Sequence, residues 1–280
     1  MQFAQKLALK YIRTKFSLLS LVSKRRAAQQ AFKLFCTPQY RNKKKIPPIF
    51  EKAEVLNFNF GAERIQGYRW NADGEKKALI VHGFESSVIN FDRYVKPLIT
   101  KGYQVLAFDA PAHGRSSGRR INAVTYREFL RRIFSDYGPI DSFIAHSFGC
   151  LAVSLVLETV VHDRTTKVVM IAPAVESKTA ALNFYRAIRL KDEVKSEFAK
   201  LIRCVEGHSL EWYSIQRAIQ HLDASILIFQ DKDDHMTPYS DLEPIIDMKL
   251  PNVEFVISQG LGHRRIYRDN KTSKKILEFL

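Results

Sequence analysis

The sequence predicts an α/β fold, with a mostly parallel, twisted sheet of about eight strands and helices on both faces. Two observations support this prediction. From residue 53 onwards, short strand-like runs alternate with helical patterns, which implies one sheet joined by right-handed crossovers. Most of these runs are continuously apolar, as expected for strands covered by helices on both sides. The 280 residues are 46% hydrophobic, which suffices for the core of one large domain with an insertion or of two small domains.

The strand-like runs begin with an expected antiparallel pair, because only a short turn that contains Gly61 separates the first two. The expected strands are residues 53–60, 64–71, 77–83, 103–110, 142–147, 167–174, 225–231 and 253–259. The expected helices between and after them are residues 90–101, 122–136, 148–161, 239–248 and 271–280.

A stretch of fifty residues, about 175–224, contains no strand-like run. Apolar residues recur there at helical spacing, which predicts two or three amphipathic helices. These residues are Leu182, Tyr185, Ile188, Val194, Phe198, Leu201 and Ile202. An insertion at this point is expected to form a small helical cap over the carboxyl ends of the strands. Its apolar positions, together with Trp212 and Tyr213, are expected to line part of an acyl pocket.

The net charge of +15 is concentrated near the amino terminus. Residues 1–50 contain twelve Lys or Arg and no acid, whereas the remaining 230 residues contain 32 basic and 29 acidic ones. We therefore predict a basic helical arm over 1–50 and a domain over 51–280 that includes the insertion. Nucleic acid is not a favoured partner, because aromatic residues do not interleave the cluster Arg41–Lys45 and the domain carries little net charge.

The first part of the arm, residues 1–24, has the pattern of a helix that lies in a membrane interface. On a helical projection the apolar residues share one side and the cations share an adjoining face. The apolar residues are Leu9, Ile12, Phe16 and Leu19, and the cations are Lys6, Lys10, Arg13 and Lys24. We expect peripheral contact with an anionic membrane through 1–24, with 27–38 docked on the protein. The alternative is that the apolar stripe packs on the protein and the charges are solvated.

The clearest chemical signal is the segment Ala145-His146-Ser147-Phe148-Gly149, which follows an apolar strand and precedes a helix. A serine on such a tight turn holds its Oγ above the sheet, and the small residues two before and two after it relieve crowding between strand and helix. The alternative, that Ser147 only caps the helix, fits this strand–turn–helix context less well.

The second signal is His82-Gly83-Phe84, which directly follows the run KALIV. A turn here can direct the backbone N–H of Phe84 at an acyl oxygen, and the N–H of Phe148 can join it. Two such donors would form an oxyanion hole for a tetrahedral intermediate.

A catalytic serine needs a histidine base, and the base needs an orienting carboxylate. Along the chain, the acid follows such a serine, and the histidine follows the acid. Of the eight histidines, His263 is the one that follows both the serine and the acid region, just after the last strand. The alternative is that His263 is a loop histidine without a catalytic role.

The acid is expected after the run at 225–230, where Asp231, Asp233 and Asp234 compete. Asp234, four residues before Pro238, fits best, and Asp231 is expected to hold the turn by accepting hydrogen bonds from backbone N–H groups. Glu176, after the preceding strand, is the alternative acid.

Five motifs in order give the chain a resemblance to the α/β-hydrolase superfamily, on its serine esterase, lipase and lysophospholipase-like branch, from about residue 53 to its end. They are HGFESS (82–87), FDAPAHGRSSG (108–118), AHSFG (145–149), QDKDDHMTP (230–238) and GLGHRRIYRD (260–269). The resemblance implies the α/β-hydrolase fold, the triad Ser147, Asp234 and His263, and a structural loop at Asp109–Gly118. A serine in the elbow disfavours the dehalogenase and epoxide hydrolase branches, which use aspartate there.

The sequence thus predicts a serine hydrolase that cleaves a carboxylic ester or thioester through an acyl-enzyme intermediate. A non-catalytic ligand-binding or scaffold protein of the same fold, or an amidase, C–C hydrolase or perhydrolase with the same triad, is the alternative. No metal or organic cofactor is implied, because no cluster of His, Cys and carboxylates has ligand spacing. Cys36, Cys150 and Cys204, at unrelated spacings, favour a reducing, cytoplasmic setting.

Overall fold

A computed structural model describes residues 3–42 and 44–280; residues 1, 2 and 43 of the predicted arm lie outside this description. The strands are β1 (Glu54–Phe60), β2 (Glu63–Trp70), β3 (Lys76–Val81), β4 (Tyr103–Phe108), β5 (Ser142–His146), β6 (Lys167–Ile171), β7 (Ser225–Asp231) and β8 (Val253–Ser258).

Three helices precede the first strand, and the others lie between and after the strands. They are α1 (Phe3–Val22), α2 (Lys24–Phe35), α3 (Pro48–Glu51), α4 (Asp92–Thr100), α5 (Ala123–Tyr137), α6 (Phe148–Leu157), α7 (Ser177–Ile188), α8 (Asp192–Glu206), α9 (Ile215–Ala218), α10 (Tyr239–Asp247), α11 (Gly262–Arg265) and α12 (Asn270–Phe279). Short 3₁₀ helices cover Val88–Phe91, Leu210–Trp212, Ile219–His221 and Ile266–Arg268.

The strands form one sheet in the order β1-β2-β4-β3-β5-β6-β7-β8. The pairs β1–β2 and β2–β4 are antiparallel, and the other neighbours are parallel. Gly61, in the turn between β1 and β2, has a φ of +58°, which glycine adopts without steric cost. The predicted fold class is therefore confirmed, including the antiparallel opening pair.

The centre of the sheet explains why the sequence runs there are continuously apolar. Every residue of β4 and β5 is buried, so neither face of these strands meets water. Helix α6 is buried along its whole length from Gly149 to Leu157, as expected for a helix that is apolar on all sides. The next strand after β3 in the chain, β4, lies on one side of it, and β5 lies on the other. The carboxyl ends of β3 and β5 therefore lie side by side at the point where the strand order reverses, which is where open α/β sheets hold their ligands.

The chain divides into two compact units. One contains Pro38–Val175 and Ser214–Leu280, and the other contains the described residues up to Thr37 together with Glu176–Tyr213. The two amino-terminal helices thus group with the helices of the predicted insertion. The predicted boundaries at residue 50 and at about 175–224 stay a prediction.

The helical unit is held together by aromatic contacts. The ring of Phe198 on α8 contacts Phe32 and Phe35 of α2 at centroid distances of 5.7 and 5.8 Å, and Tyr185 of α7 at 5.2 Å. Edge-to-face pairs at such distances each contribute about 0.5–1.5 kcal/mol beyond the burial of their area. Small residues on α2, among them Ala27 and Ala31, are fully buried and let the helices approach closely.

Helix α1 also packs within this unit, through one of its faces. The Arg13 guanidinium donates from Nε to the carbonyl of Ala187 at the end of α7, at 2.9 Å. Phe16 is only 4% exposed, and Leu9, Ile12 and Leu19 are half-buried. The stripe predicted to meet lipid is therefore the packed face of α1. None of the helices in the described part of the chain combines the length and apolar character that crossing a membrane requires.

Candidate active site

Ser147 lies on a strained turn between β5 and α6. Its backbone has φ 54° and ψ −120°, a region that residues other than glycine rarely occupy. A Cβ on Gly149 would come within 2.7 Å of the carbonyl oxygen of His82, so only glycine fits two residues after the serine. Ala145, two residues before it, is fully buried in β5. The crowding that the sequence pattern implies is therefore present on both sides of Ser147.

The loop after β3 lies against this turn. A Cβ on Gly83 would come within 2.9 Å of the Ser147 Cβ, so the backbone of the loop passes directly beside the serine. The rings of Phe84 and Phe148 meet edge to face at 6.1 Å. Phe148 is the first residue of α6, where a backbone N–H has no acceptor within the helix. The two predicted oxyanion donors thus belong to adjoining backbone segments beside Ser147.

Two buried histidines hold this loop in place. His82 accepts the N–H of Ala110 at Nε2 (3.0 Å), and its Nδ1 donates to the carbonyl of Gly83 (2.8 Å). His113 accepts the N–H of Glu85 at Nε2 (3.0 Å), which secures a residue with a φ of 55°. Burial lowers the pKa of His82 to about 4 and, together with the nearby His82, that of His113 to about 3. Both rings are therefore neutral at pH 7 and can accept a backbone hydrogen bond.

Asp234 and His263 form a hydrogen-bonded pair. The Nδ1 of His263 lies 2.8 Å from Oδ2 of Asp234, and both side chains are almost fully buried. Asp234 Oδ1 also accepts the N–H groups of Met236 and Thr237, at 2.8 and 3.0 Å. Burial raises the pKa of Asp234, but the hydrogen bonds and the charge of His263 outweigh it and hold that pKa below its ordinary value. The carboxylate is thus ionised and its partner ring is fixed in orientation.

Asp231 holds the turn that the sequence analysis assigns to it. Its carboxylate accepts the backbone N–H groups of Asp233 and Leu261 at 3.0 Å each, and the hydroxyl of Ser258 at 2.7 Å. These bonds tie the end of β7 to the loop that carries His263. Glu176, the alternative acid, is the residue before α7 and belongs to the helical unit.

Thr237 is a member of the site that sequence reasoning missed. Its hydroxyl donates to Oδ2 of Asp234 at 2.8 Å and lies 3.2 Å from Nδ1 of His263. It therefore contacts both members of the pair and restrains the carboxylate. The sequence offers one signal, since an aspartate side chain commonly accepts the backbone N–H two residues on, and such a turn places the next residue, Thr237, near it.

His146 is a second residue that sequence reasoning left without a role. Its Nε2 donates to the backbone carbonyl of His263 at 3.0 Å, and the two rings lie 4.7 Å apart. Burial, followed by the charge of His263, lowers the pKa of His146 to about 3. The neutral ring leaves its Nδ1 without a hydrogen-bond partner among the described residues. Because His146 adjoins Ser147 in the chain, this contact brings the loop of His263 next to the serine turn.

The family profile of the serine aminopeptidases S33 matches residues 74–225 of the chain, more than half of its length. The chain belongs to this family of hydrolases. S33 members share the α/β-hydrolase superfamily, in agreement with the sheet order and the serine turn described above. The matched region contains the Gly83–Phe84 loop and Ser147.

Solved structures with the same fold as this S33 family member include esterases and a thioesterase. An esterase of Pyrococcus furiosus aligns with a TM-score of 0.63 and 19% identity, over 88% of this chain and 97% of that one. The thioesterase domain from the curacin biosynthetic pathway aligns with a TM-score of 0.57 and 15% identity, over 81% and 98%. Mouse α/β-hydrolase domain-containing protein 10 aligns with a TM-score of 0.58 and 16% identity, over 80% and 96%. None of the curated proteins matches the sequence closely enough to count as a relative.

Proposed function

We propose that the chain is a serine hydrolase that cleaves a carboxylic ester or thioester through an acyl-enzyme intermediate. The observation that carries this proposal is the buried pair of His263 and Asp234, at 2.8 Å, beside a serine held on a strained turn. Nucleophile, base and orienting carboxylate are the three groups that acyl transfer from a serine requires.

In the first half of the reaction, the Ser147 oxygen attacks the acyl carbonyl while Nε2 of His263 takes its proton. Asp234 accepts from Nδ1, so it fixes the ring in the tautomer whose Nε2 is free and stabilises the imidazolium that forms. The N–H groups of Phe84 and Phe148 stabilise the negative charge that develops on the carbonyl oxygen. His263 then protonates the leaving alcohol or thiol, and the acyl group stays on the serine oxygen.

In the second half, water takes the place of the leaving group. His263 removes a proton from it, the resulting hydroxide attacks the acyl-serine, and the same ring returns a proton to the serine oxygen. The products are a carboxylic acid and the free enzyme. The carboxylate of Asp234 stays ionised throughout, in keeping with its four hydrogen bonds.

The choice of an ester or thioester over an amide is supported by the solved structures with the same fold, which include an esterase and a thioesterase domain. Esters and thioesters have better leaving groups than amides, so acyl transfer from them to Ser147 is the easier reaction. An amidase is the competing function within the same mechanism, and the name of the S33 family makes aminoacyl amides its natural test substrate.

The nucleophile is tested by labelling with a fluorophosphonate probe. We expect the wild-type protein to be labelled and Ser147→Ala to be unlabelled. Ser154→Ala is the matched control, because Ser154 lies buried on the same helix and its hydroxyl donates to the carbonyl of Cys150. Unlabelled wild-type protein, or equal labelling of Ser147→Ala, would exclude the proposed mechanism.

The substrate class is tested with a panel of p-nitrophenyl esters and acyl thioesters of graded chain length, and with aminoacyl p-nitroanilides. We expect kcat/KM to be highest for one of the first two series. Turnover confined to the anilides would replace the esterase with an amidase while leaving the triad in place.

A further inference from the structure

Helix α1 carries a second apolar stripe, opposite its packed face. At 3.6 residues per turn, the spacing of its residues places them on one side of the helix. They are Leu7, Tyr11, Leu18, Leu21 and Val22, and they are between 59% and 78% exposed. At 3.6 residues per turn, this stripe points away from the side of Arg13 and Phe16, which is packed. The helix is therefore apolar on two sides, and one of them faces water.

Single exposed apolar residues are ordinary, but a row of them along one side of a helix is not. Four large aliphatic side chains and a tyrosine within about four turns form such a row. Leucine and valine have no polar group to satisfy in water, whereas a tyrosine is suited to a boundary where one end of the ring is apolar and the other is wet. The row thus has the composition of a surface that is covered by something apolar.

Lysines border this stripe along both edges. Lys6 and Lys10 lie on one side of it and Lys15 on the other, and all three are exposed. Long lysine side chains in this position can extend their stems along apolar material and keep the ammonium groups in water. No acid occurs between residues 1 and 50, so α1 provides no carboxylate to neutralise them.

The unit that contains α1 is basic as a whole. Residues 1–37 and 176–213 hold fifteen Lys or Arg and six Asp or Glu, so this part of the protein contributes more than half of the net charge of +15. A surface with this excess attracts an anionic partner over a Debye length, about 8 Å at physiological salt. The charge therefore selects a negatively charged occupant for the apolar stripe.

We propose that α1 docks this protein on an anionic lipid bilayer, with Leu7, Tyr11, Leu18, Leu21 and Val22 in the boundary between headgroups and acyl chains. The lysines at its two edges then lie at the level of the anionic headgroups, the arrangement of helices that lie in a membrane interface. The opposite face stays attached to the protein through Arg13 and Phe16. A second copy of the chain is the competing occupant, but its α1 would present the same lysines and repel them.

The experiment is co-sedimentation of the full chain with phosphatidylcholine vesicles, with and without phosphatidylserine, at low and high salt. The apolar variant is Leu7→Asn/Leu18→Asn/Leu21→Asn, and the charge variant is Lys6→Gln/Lys10→Gln/Lys15→Gln. Two control variants replace exposed residues of the same kind in the other unit, Val55→Asn/Val161→Asn and Lys96→Gln/Lys101→Gln/Lys275→Gln. Circular dichroism and a thermal melt in the absence of vesicles verify that each variant is folded.

We expect binding to phosphatidylserine vesicles that weakens at high salt. Loss of three lysines near an anionic surface should weaken it roughly a hundredfold, and the apolar variant should weaken it by at least about tenfold. Both controls, and Ser147→Ala, should bind like the wild type, so a failure of the proposed hydrolase does not affect this test. The proposal is overturned if the wild-type protein binds neither kind of vesicle or binds both equally. It is overturned as well if the α1 variants bind with the affinity of the wild type. It is also overturned if sedimentation without lipid shows a dimer that the apolar variant dissociates.

Discussion

The ring of His146 and the backbone carbonyl of His263 are joined by a hydrogen bond of 3.0 Å. His146 immediately precedes Ser147 in the chain, so this bond couples the serine turn to the loop that carries the proposed base. Phe91 and Tyr267 pack around the ring, with centroids at 6.0 and 4.8 Å, and hold it in place. The geometry gives His146 a positioning function rather than a chemical one.

Replacement of His146 by Phe should keep the ring packing but remove the donor to His263. A net hydrogen bond contributes about 1 kcal/mol, and a base displaced by a fraction of an ångström is less effective. We expect kcat to fall by roughly tenfold to a hundredfold, with little change in KM, measured on a p-nitrophenyl ester. His146→Gln, which can donate from its amide, should recover part of the loss. Wild-type kcat in His146→Phe would contradict this function.

The acid of the triad can be distinguished by a pair of amide variants. Asp234→Asn presents an amide to Nδ1 of His263 and favours the wrong tautomer of the ring, so kcat should fall by roughly a thousandfold or more. Glu176→Gln should keep near-full activity, because His263 is hydrogen-bonded to Asp234. Steady-state kinetics of the two variants decides the matter, and the reverse pattern would make Glu176 the acid.

Asp231 should affect stability more than catalysis. In Asp231→Asn, the new amide would present donors to the hydroxyl of Ser258 and the N–H of Leu261, which now donate to Oδ2. A donor left unsatisfied in this buried place costs about 1–3 kcal/mol. We expect a lower Tm in thermal unfolding, with kcat reduced far less than in Asp234→Asn. An unchanged Tm with a collapsed kcat would assign Asp231 to the catalytic group.

Thr237 should contribute to activity through Asp234. Thr237→Val keeps the shape of the side chain but removes the hydroxyl that donates to Oδ2 at 2.8 Å. One lost hydrogen bond to a charged group costs about 1.5–3 kcal/mol, so kcat/KM should fall by at least about tenfold. Thr237→Ser, which retains the hydroxyl, is the matched control. Equal activity of the Val and Ser variants would show that the hydroxyl is dispensable.

The buried histidines predict a loss of stability in mild acid. Burial lowers the pKa of His82 to about 4 and that of His146 to about 3, from an ordinary value of 6.5. At a pH between the lowered pKa of each histidine and 6.5, the unfolded chain binds more protons than the folded one. The free energy of unfolding therefore falls as the pH falls below 6.5. Each such group contributes a slope of up to about 1.4 kcal/mol per pH unit.

The contribution of one histidine can be isolated by denaturant unfolding at several pH values between 7.5 and 4.5. His146→Phe should show a shallower decline than the wild type, because one of the groups that bind protons only on unfolding is absent. Parallel declines in the two proteins would mean that His146 does not remain neutral in the folded state.

Much of the fold and part of the site follow from local sequence. The central strands are predictable because runs such as KALIV and SFIAHS are apolar throughout, and burial on both faces requires this of any parallel strand. The serine turn is equally local, since Ala145, Ser147 and Gly149 meet the steric demands of one turn within five residues. The order of the catalytic residues along the chain then predicts His263 as the base. Its loop contacts His146, although the two histidines are 117 residues apart.

Only tertiary structure decides which side chains meet across such distances. Asp231 and Asp234 lie three residues apart, and the turn after β7 directs the first at Leu261 and the second at His263. The hydroxyl of Thr237 and the ring of His146 acquire their functions from the same packing, which no spacing rule describes.

Helix α1 is the clearest case of this division. Its sequence determines a helix that is basic and apolar on more than one side, because the periodicity of apolar residues fixes which of them share a face. The sequence does not fix which face is packed, because burial of Phe16 and burial of Leu18 contribute nearly the same free energy. Tertiary packing decides it, because the side of α1 on which Arg13 bonds the carbonyl of Ala187 buries Phe16, while Leu18 stays in water.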